Sequence, residues 1–433
     1  MKVAAYPTYD SYKDSGLSWL PKIPTSWTTL RLQQIATCND DTLNEFKYRD
    51  REIKYVDISA VNASTNTYTF EQQNFRNAPS RARRLARHGD IVFSTVRPYL
   101  KAVATVTEPD ENLVFSTGFA IVRPRPTADQ NFVGYALRND DFISEVAAHS
   151  VGASYPAINA SDLFKFKLPL APLPEQRAIA AFLDGKCAKI DEAVRIKEAQ
   201  IGLLRERRQI LIQQAVTRGL NPDAPMKDSG IDWIGQIPAH WEVRRGKHLF
   251  REVNERSEEG TEELLSVSHM TGVTSRSEKN VYMFMAEDYS GSKLCKPGDI
   301  VINTMWAWMG ALGVSDLTGI VSPSYGVYRP LRETSFNRRF LEWLLRTTPF
   351  IEQYNRISTG LHSSRLRLYP HMFLGLPIAT PTREEQDAIV EFVENEAGKI
   401  DSVITIKQAQ ITTLKEYKTC LINAAVTGKI KVT

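Results

Sequence analysis

The chain has 433 residues, which allows two to four domains of roughly 150 residues, each large enough to bury a core. Its 54 Lys and Arg against 50 Asp and Glu leave a formal net charge of only +4. That balance argues against a uniformly basic protein, so a surface for polyanions must come from local clustering.

The cysteines and the N-terminal segment indicate the cellular compartment of the protein. Cys38, Cys187, Cys295 and Cys420 are far apart and form no C-x-x-C motif, so we expect buried, reduced thiols without a disulfide framework or a zinc site. The chain begins with a polar, Pro-containing segment, and no stretch approaches the roughly 18 apolar residues of a membrane span. We therefore expect a soluble, cytoplasmic protein with no membrane partner.

The chain is an internal repeat. KDSGLSWLPKIPTSW at 13–27 returns as KDSGIDWIGQIPAHW at 227–241, which is 214 residues later. GDIVFSTVRPYL from Gly89 matches GDIVINTMWAWM from Gly298, and STGFAIVRP from Ser116 matches SPSYGVYRP from Ser322. Val, Ile and aromatic residues between Gly and Pro predict short strands in these segments.

The two halves differ in how much of the repeat they keep. LPLAPLPEQRAIAAFLD from Leu168 matches LPIATPTREEQDAIVEFVE from Leu376, and similarity continues over the following runs. Residues 28–88 and 242–297 share almost nothing. A retained frame with divergent inserts suggests two heads that recognise different things, although drift in loops is an alternative.

Each half ends in a predicted long helix with a heptad seam. The apolar positions of the first seam are followed by those of the second: Ile190, Val194, Ile201, Leu204 and Leu211, then Ile400, Ile404, Ile411, Leu414 and Leu421. A helix from about Pro174 to Arg218 would be roughly 65 Å long at 1.5 Å per residue. Two such helices bury their seams most simply as an antiparallel, pseudo-two-fold coiled coil.

Basic residues interrupt both seams at matching places. Lys197 and Arg208 lie in the first seam, and Lys407 and Lys418 lie in the second. Such residues can specify register and partner choice at a cost in stability. The alternative is that these long side chains extend out of a helix bundle into solvent.

These segments resemble the specificity (S) subunit of type I restriction and modification enzymes, from Lys13 to about Lys429. The resemblance implies an α+β (mixed α/β) fold with two pseudo-two-fold-related DNA-recognition domains separated by an antiparallel coiled coil. We expect target recognition domains at 1–167 and 221–375. Conserved regions with a long helix are expected at 168–220 and 376–433.

The resemblance also implies function and partners. A subunit of this family reads a bipartite, gapped, asymmetric target in double-stranded DNA. It holds two methyltransferase subunits and two restriction and translocation subunits. We expect S-adenosylmethionine, ATP and Mg on those partners and no cofactor on this chain. NTMWAWMGALGVS from Asn303 and GIVSPSY from Gly319 are similar to a common variety of recognition domain, so the two halves should read different half-sites.

No catalytic motif is apparent in the sequence. Asn221-Pro222-Asp223 lacks the second Pro of an adenine methyltransferase motif, and there is no G-x-x-x-x-G-K-[ST] or H-E-x-x-H. We expect a non-catalytic subunit of a complex that is a type I site-specific deoxyribonuclease and adenine-specific DNA methyltransferase. An enzyme with an unrecognised, scattered site is an alternative.

Candidate DNA contacts in the first half begin with four clustered arginines, Arg81, Arg83, Arg84 and Arg87. They could neutralise several phosphates, although such a run is often a solvated face. After the GDIV strands, the candidates that alternate onto one face are Arg97, Tyr99 and Lys101, with counterparts Trp306, Trp308 and Gly310. Arg can contact guanine and aromatic rings can stack or fill a groove, but core packing is an alternative for both Trp residues.

Two Gly- and Ser-containing loops supply the remaining candidates. SVGASYPAI from Ser150 offers Ser154, Tyr155 and Asn159, and STGLHSSRLRL from Ser358 offers Ser363, Ser364, Arg365 and Arg367. Asn303, at the start of the second aromatic segment, completes the set. The alternative for the loops is a domain-closing turn. For the whole chain, the alternative is a coiled-coil adaptor between proteins, without DNA recognition.

Overall fold

The structure is a computed structural model that describes residues 6–44, 49–63, 65–107, 110–278, 288–360 and 366–432. Packing divides the chain into two compact units. Unit 1 contains Met1–Lys197 and Gln408–Thr433, and unit 2 contains Glu198–Lys407. The four segments predicted from the sequence, 1–167, 168–220, 221–375 and 376–433, divide the chain by position and not by packing. Their limits stay a prediction.

The predicted long helices are confirmed, and shorter helices accompany them. The helices are α1 (Leu32–Ile35), α2 (Gln130–Leu137), α3 (Asp140–Ala148), α4 (Ala160–Leu163), α5 (Leu173–Arg218), α6 (Arg338–Leu345), α7 (Thr348–Ile357), α8 (Pro370–Gly375) and α9 (Arg383–Val426). Helix α5 ends one residue before Gly219, whose φ of 74° suits the left-handed position that closes a helix. No helix in the described ranges has a stretch long and apolar enough to cross a membrane.

Unit 1 is built on two four-stranded sheets. Its strands are β1 (Tyr12–Asp14), β2 (Lys22–Pro24), β3 (Thr28–Arg31), β4 (Ala36–Cys38), β5 (Glu52–Val56), β6 (Val61–Asn62), β7 (Thr67–Tyr68), β8 (Glu71–Asn74), β9 (Ala82–Leu85), β10 (Ile91–Ser94), β11 (Val103–Thr105), β12 (Leu113–Ser116), β13 (Phe119–Pro124) and β14 (Lys167–Leu170). One sheet has the antiparallel order β11-β10-β13-β4, and the other has the order β8-β5-β12-β9 with β5 and β12 parallel. The predicted GDIV strand is β10, whose side chains are all buried.

Unit 2 repeats this frame with different accessory strands. Its strands are β15 (Met226–Asp228), β16 (Gln236–Pro238), β17 (Glu242–Arg245), β18 (Phe250–Glu252), β19 (Leu265–Ser268), β20 (Gly272–Ser275), β21 (Lys293–Cys295), β22 (Ile300–Ile302), β23 (Leu312–Val314), β24 (Gly319–Val321), β25 (Gly326–Pro330) and β26 (Pro377–Thr380). The sheet β18-β25-β22-β23 corresponds to β4-β13-β10-β11. Beside it, β19 pairs with β20 and β21 pairs with β24.

The repeated sequence motifs form the same tertiary contacts in both units. In unit 1, Trp27 is fully buried and its indole Nε1 donates to Glu175 Oε1 at 3.2 Å. In unit 2, Trp241 donates to Glu385 Oε1 at 3.1 Å. The acidic residue of each EQ pair therefore ties the start of a long helix to the repeated IP-x-x-W segment.

An arginine–aspartate pair also recurs at the end of the central sheet. Arg123 donates to both carboxylate oxygens of Asp90 at 2.8 and 2.7 Å. Arg329 does the same to Asp299 at 2.7 and 2.8 Å. Each of these aspartates is the second residue of a GDIV motif. The ion pair with arginine therefore gives this position of the motif a structural role.

The seam residues of α5 and α9 pack within each unit as an antiparallel pair. In unit 1 the buried or partly buried seam residues are Ile190, Val194, Ile411, Leu414 and Leu421. In unit 2 they are Ile201, Leu204, Leu211, Ile400 and Ile404. Packing of this kind confirms the coiled-coil interpretation of the heptads.

The four basic interruptions each contact a polar residue on the opposite helix. In unit 1, Lys197 Nζ donates to Gln410 at 2.7 Å and Lys418 Nζ donates to Asp191 at 2.7 Å. The corresponding contacts in unit 2 are Lys407 to Gln200 at 2.6 Å and Arg208 to Asp401 at 3.2 Å. Two lysine–glutamine and two cation–aspartate contacts recur in the same order, which favours a role in register over simple extension into solvent.

Candidate nucleic-acid interface

In unit 1 the segment after β10 lies against the 150–158 loop. The amide of Ile158 donates to the carbonyl of Thr95 at 2.9 Å, and the amide of Arg97 donates to the carbonyl of Pro156 at 2.7 Å. A β-bridge between Val96 and Ala157 lies in the same region. The fold thus brings two separately predicted segments into one surface.

The half-buried Arg97 and the exposed Tyr155 form the centre of this surface. The guanidinium of Arg97 lies 4.1 Å from the centroid of the Tyr155 ring, and its Nη2 donates to the carbonyl of Ser154 at 3.3 Å. Tyr155 remains 67% exposed. Because stacking orders the guanidinium while its partner stays in solvent, the pair can present a cationic edge to a ligand.

The other predicted residues of this surface differ in their exposure and in their side-chain partners. Tyr99 is exposed, and Lys101 is ion-paired with Asp140. Arg97 and Lys101 have φ of 50° and 58°, in the left-handed region that non-glycine residues seldom occupy. Asn159 is exposed before α4, and its amide donates to Asp162 at 3.4 Å.

Unit 2 has the same loop pairing with different side chains. The amide of Leu368 donates to the carbonyl of Thr304 at 3.0 Å, and Thr359 and Arg367 form a β-bridge. Trp306 is 49% exposed, and its ring is stacked with that of Trp308 at 6.1 Å. Burial in a sheet core therefore does not describe Trp306.

Asn303 is buried, unlike most of the predicted contact residues. Its Nδ2 donates to the hydroxyl of Tyr325 at 3.0 Å, and its Oδ1 has no hydrogen-bond partner. A direct contact with a ligand would require this side chain to become accessible. Burial also raises the pKa of Tyr325. The contact of Tyr325 with Asn303 was not predicted from the sequence, because the two residues are not neighbours along the chain.

The remaining residues of the second loop lie partly outside the described residues. Arg367 is exposed. Ser363, Ser364 and Arg365 fall in the range that the structure does not describe.

The four clustered arginines do not form one free basic patch. Arg81 donates to Tyr55 at 3.1 Å and pairs with Asp57 at 2.7 Å, and Arg87 pairs with Asp41 at 2.9 Å. The remaining two guanidiniums belong to Arg83, which lies 5.2 Å from the Phe75 ring, and Arg84, whose Nε is shielded from solvent without a hydrogen-bond partner. Phosphate contacts by Arg81 or Arg87 would have to replace their carboxylate partners.

Groups suited to catalysis are also sparse in the described part of the chain. No three His, Cys, Asp or Glu side chains there are grouped so that they could hold a metal ion. All four cysteines are free thiols; Cys187 and Cys295 are buried as expected, whereas Cys38 and Cys420 are only partly buried. Burial raises the pKa of Cys38 and of Cys295 to about 11. Thiols with such pKa values carry little thiolate at neutral pH and are poor nucleophiles.

The chain contains two α+β units built on one repeated frame. Each unit is joined to a long helix and carries a different pair of surface loops. This arrangement defines a duplicated recognition scaffold. The family model described as "Type I restriction modification DNA specificity domain" matches residues 24–200. The chain is 24% identical over 337 residues to the type I restriction enzyme MjaVIII specificity subunit of Methanocaldococcus jannaschii, covering 74% of this chain and 75% of that protein. The chain is thus similar to the DNA specificity domain and to specificity subunits of type I restriction enzymes.

A further relative and two solved structures are also similar to the chain. A putative type I restriction enzyme MjaX specificity subunit of the same organism is 28% identical over 161 residues, covering 36% of each chain. A chain from a type I R-M system solved for its complex assembly and conformational transition has a TM-score of 0.69 at 22% identity, covering 94% of this chain and 99% of that one. The HsdS subunit from Thermoanaerobacter tengcongensis has a TM-score of 0.51 at 23% identity, covering 94% and 98%. The two structures show likeness of fold.

Proposed function

We propose that this chain is the DNA-binding specificity subunit of a type I restriction–modification system, and that it reads an asymmetric target made of two parts. The observation that carries the proposal is the equivalence of the loop pairs in the two units. Both pairs share an equivalent backbone hydrogen bond, from Ile158 to Thr95 and from Leu368 to Thr304. One pair nevertheless presents Arg97 and Tyr155, and the other presents Trp306 and Trp308. The same frame with different side chains is what reading two different half-sites requires.

The chemistry of the two surfaces supports different base preferences. An arginine can donate two hydrogen bonds to the O6 and N7 of guanine in the major groove. The paired indoles of unit 2 offer apolar faces that suit a thymine methyl group or a groove wall. Unit 1 is therefore proposed to favour guanine at one position, whereas the Trp pair reads by shape and apolar contact.

The full set of proposed DNA contacts keeps the sequence predictions. It comprises Arg81, Arg83, Arg84, Arg87, Arg97, Tyr99, Lys101, Ser154, Tyr155 and Asn159 in unit 1, and Asn303, Trp306, Ser363, Ser364, Arg365 and Arg367 in unit 2. Of the described members, Arg81, Arg87 and Lys101 have carboxylate partners that phosphates would displace. Exchange of this kind makes binding salt-dependent.

The partners follow from the family. We propose that the chain directs two methyltransferase subunits and two restriction and translocation subunits to its target. S-adenosylmethionine, ATP and Mg are proposed to bind those subunits and not this chain. A target with a fixed gap is proposed because a continuous helix of the length of α5 is stiff, about 69 Å at 1.5 Å per residue.

The test is selection of DNA by the reconstituted complex. The full chain is co-purified with its methyltransferase subunits, incubated with a random duplex library, and the bound DNA is sequenced. We expect enrichment of two short blocks around one fixed gap. Arg97→Ala should relax one block and Trp306→Ala the other. Enrichment of a single contiguous block would contradict the two-part target, and no enrichment would favour a protein adaptor.

A further inference from the structure

A cavity of about 610 Å³ in unit 1 encloses a cationic group that the DNA-reading surface does not use. Its walls come from α2, α5, α9, the strand β11 and the turn between β6 and β7. The polar side chains that line it include Thr67, Thr105, Tyr135, Arg138, Asp184 and Lys418. Its size is typical of a small-molecule site, for which cavities of about 300–1,000 Å³ are usual.

Arg138 has few partners for a guanidinium in such a position. The group carries five N–H donors, and the described residues supply one acceptor, Thr105 Oγ1, at 2.9 Å from Nη2. The Nε is shielded from solvent and has no hydrogen-bond partner. The ring of Tyr135 lies 5.5 Å from the guanidinium carbon. Burial lowers the pKa of Arg138, because a cation is disfavoured in a poorly solvated place, and the nearby Asp184 acts in the opposite direction.

The two carboxylates of the cavity are engaged elsewhere. Asp184 accepts hydrogen bonds from Tyr135 at 2.7 Å and from Asn131 at 3.3 Å. Asp191 accepts two hydrogen bonds from Lys418. Neither carboxylate forms an ion pair with Arg138 among the described contacts.

The equivalent arginine of unit 2 has the missing partner. Arg346 follows α6 as Arg138 follows α2. Its Nη1 donates to Glu342 at 2.9 Å, and its Nη2 donates to two backbone carbonyls at 2.6 and 3.1 Å. Glu342 lies four residues before Arg346, and the residue four before Arg138 is Gly134. One copy of the frame thus supplies a carboxylate to this arginine, and the other has a glycine there, with Thr105 Oγ1 2.8 Å from the position of an added Cβ.

We propose that Arg138 is the anion-binding group of a ligand site in unit 1. The ligand class is a small oxyanion, either a carboxylate or a phosphate, which would give Arg138 the negatively charged partner that Arg346 has in Glu342. The hydroxyl groups of Thr67 and Thr105 line the same cavity and add hydrogen bonds to such a group. The site is separate from the proposed reading of DNA, and its test does not involve DNA.

Thermal unfolding of the full chain with two probes tests the proposal. Sodium phosphate and sodium acetate are titrated separately at constant ionic strength, with sodium chloride as the compensating salt. A ligand that binds only the folded state raises Tm with a saturable dependence on its concentration, by about 2–4 °C for each kcal/mol in a folding unit of 150–250 residues, the size class of unit 1. We expect such a rise with at least one probe, and the probe that acts identifies the anion class.

Two matched variants locate the effect. Arg138→Gln should remove the anion-dependent rise, whereas Arg346→Gln should keep it, whatever each change does to Tm without anion. The proposal is overturned if neither probe gives a saturable rise, or if the wild type and Arg138→Gln respond alike.

A second pair of variants gives a decision even if Arg138→Gln does not fold. A Cβ at position 134 would lie 2.8 Å from Thr105 Oγ1, so Gly134→Glu is combined with Thr105→Ala and compared with Thr105→Ala alone. The glutamate would supply the carboxylate that unit 2 has. We expect Thr105→Ala to respond to the anion at a higher concentration than the wild type, because one hydroxyl of the site is lost, and the double variant not to respond. An equal response in both would contradict the site.

Discussion

Arg97→Ala separates DNA reading from folding, because the contacts of Arg97 within the protein are weak. The guanidinium makes one 3.3 Å hydrogen bond and one cation–π contact with an exposed ring. An exposed cation–π contact contributes about 0.5–1 kcal/mol. Alanine and arginine are both disfavoured in the left-handed region, so the φ of 50° at this position adds little to the difference. We expect the free energy of unfolding to fall by no more than about 1 kcal/mol.

The expected effect on DNA binding is larger. A bidentate arginine–guanine contact contributes about 1–3 kcal/mol of discrimination, which corresponds to a roughly 5- to 150-fold change in Kd. The loss should be confined to duplexes in which the half-site read by unit 1 is intact. Replacing that half-site should already remove the contribution of Arg97, so wild type and variant should then bind alike.

The assay is competition binding of the complex with its methyltransferase subunits, measured by fluorescence anisotropy at one fixed salt concentration. The competitors carry both half-sites, or one of the two replaced by unrelated sequence. Trp306→Ala is the matched control, and it should give the opposite pattern of sensitivity. The reasoning is refuted if Arg97→Ala binds as wild type to every duplex. Equal loss on all duplexes would also refute it.

Three further changes test the frame. Asp299→Asn should lower the free energy of unfolding by about 3 kcal/mol in urea titrations. The reason is that Asp299 is 1% exposed and Arg329 would lose its closest counter-charge. A loss under about 1 kcal/mol would contradict this prediction. Asp191→Ala should destabilise the protein more than Lys418→Met in the same titrations. Removing Asp191 leaves the charge of Lys418, which is 9% exposed, without its partner, whereas removing Lys418 leaves the hydrated carboxylate of Asp191. The reverse order would contradict the proposed role of this pair in helix register. Cys295, fully buried with a pKa of about 11, should react with a thiol reagent only after unfolding, and prompt labelling of the native protein would be inconsistent with the burial.

The features that sequence alone predicted are those with a local or repeated signal. The heptad spacing placed a helix from about Pro174 to Arg218, and α5 spans Leu173–Arg218. The duplicated GDIV motif predicted β10 and β22, and the repeat predicted two similar units. Periodicity and duplication are visible without knowledge of tertiary contacts, since neighbouring residues carry them.

The features that sequence alone missed depend on partners far along the chain. Glu175 and Glu385 sit in a recognisable motif, but only the fold shows that they accept the indole N–H groups of Trp27 and Trp241. Similarly, Asn303 was predicted as a DNA contact, and the fold buries it against Tyr325, which lies just before β25.

The clustered arginines illustrate the same limit for charge. Four guanidiniums in seven residues suggest one basic patch, but Asp57 and Asp41 arrive from elsewhere in unit 1 to pair with Arg81 and Arg87. A run of like charge in the sequence gives no count of the counter-charges that the fold will bring to it. The contacts of these arginines with DNA stay a proposal.

The central claim, that the chain reads a two-part DNA target for a modification enzyme, is tested most directly by the adenine methylation profile of the native genome with and without this gene. The account predicts that deletion removes methylation at one asymmetric motif, made of two short blocks around a fixed gap, and leaves all other methylated motifs unchanged. Loss of methylation at a contiguous motif would contradict the two-part target, and an unchanged profile in cells that express the methyltransferase subunits would contradict the proposed function.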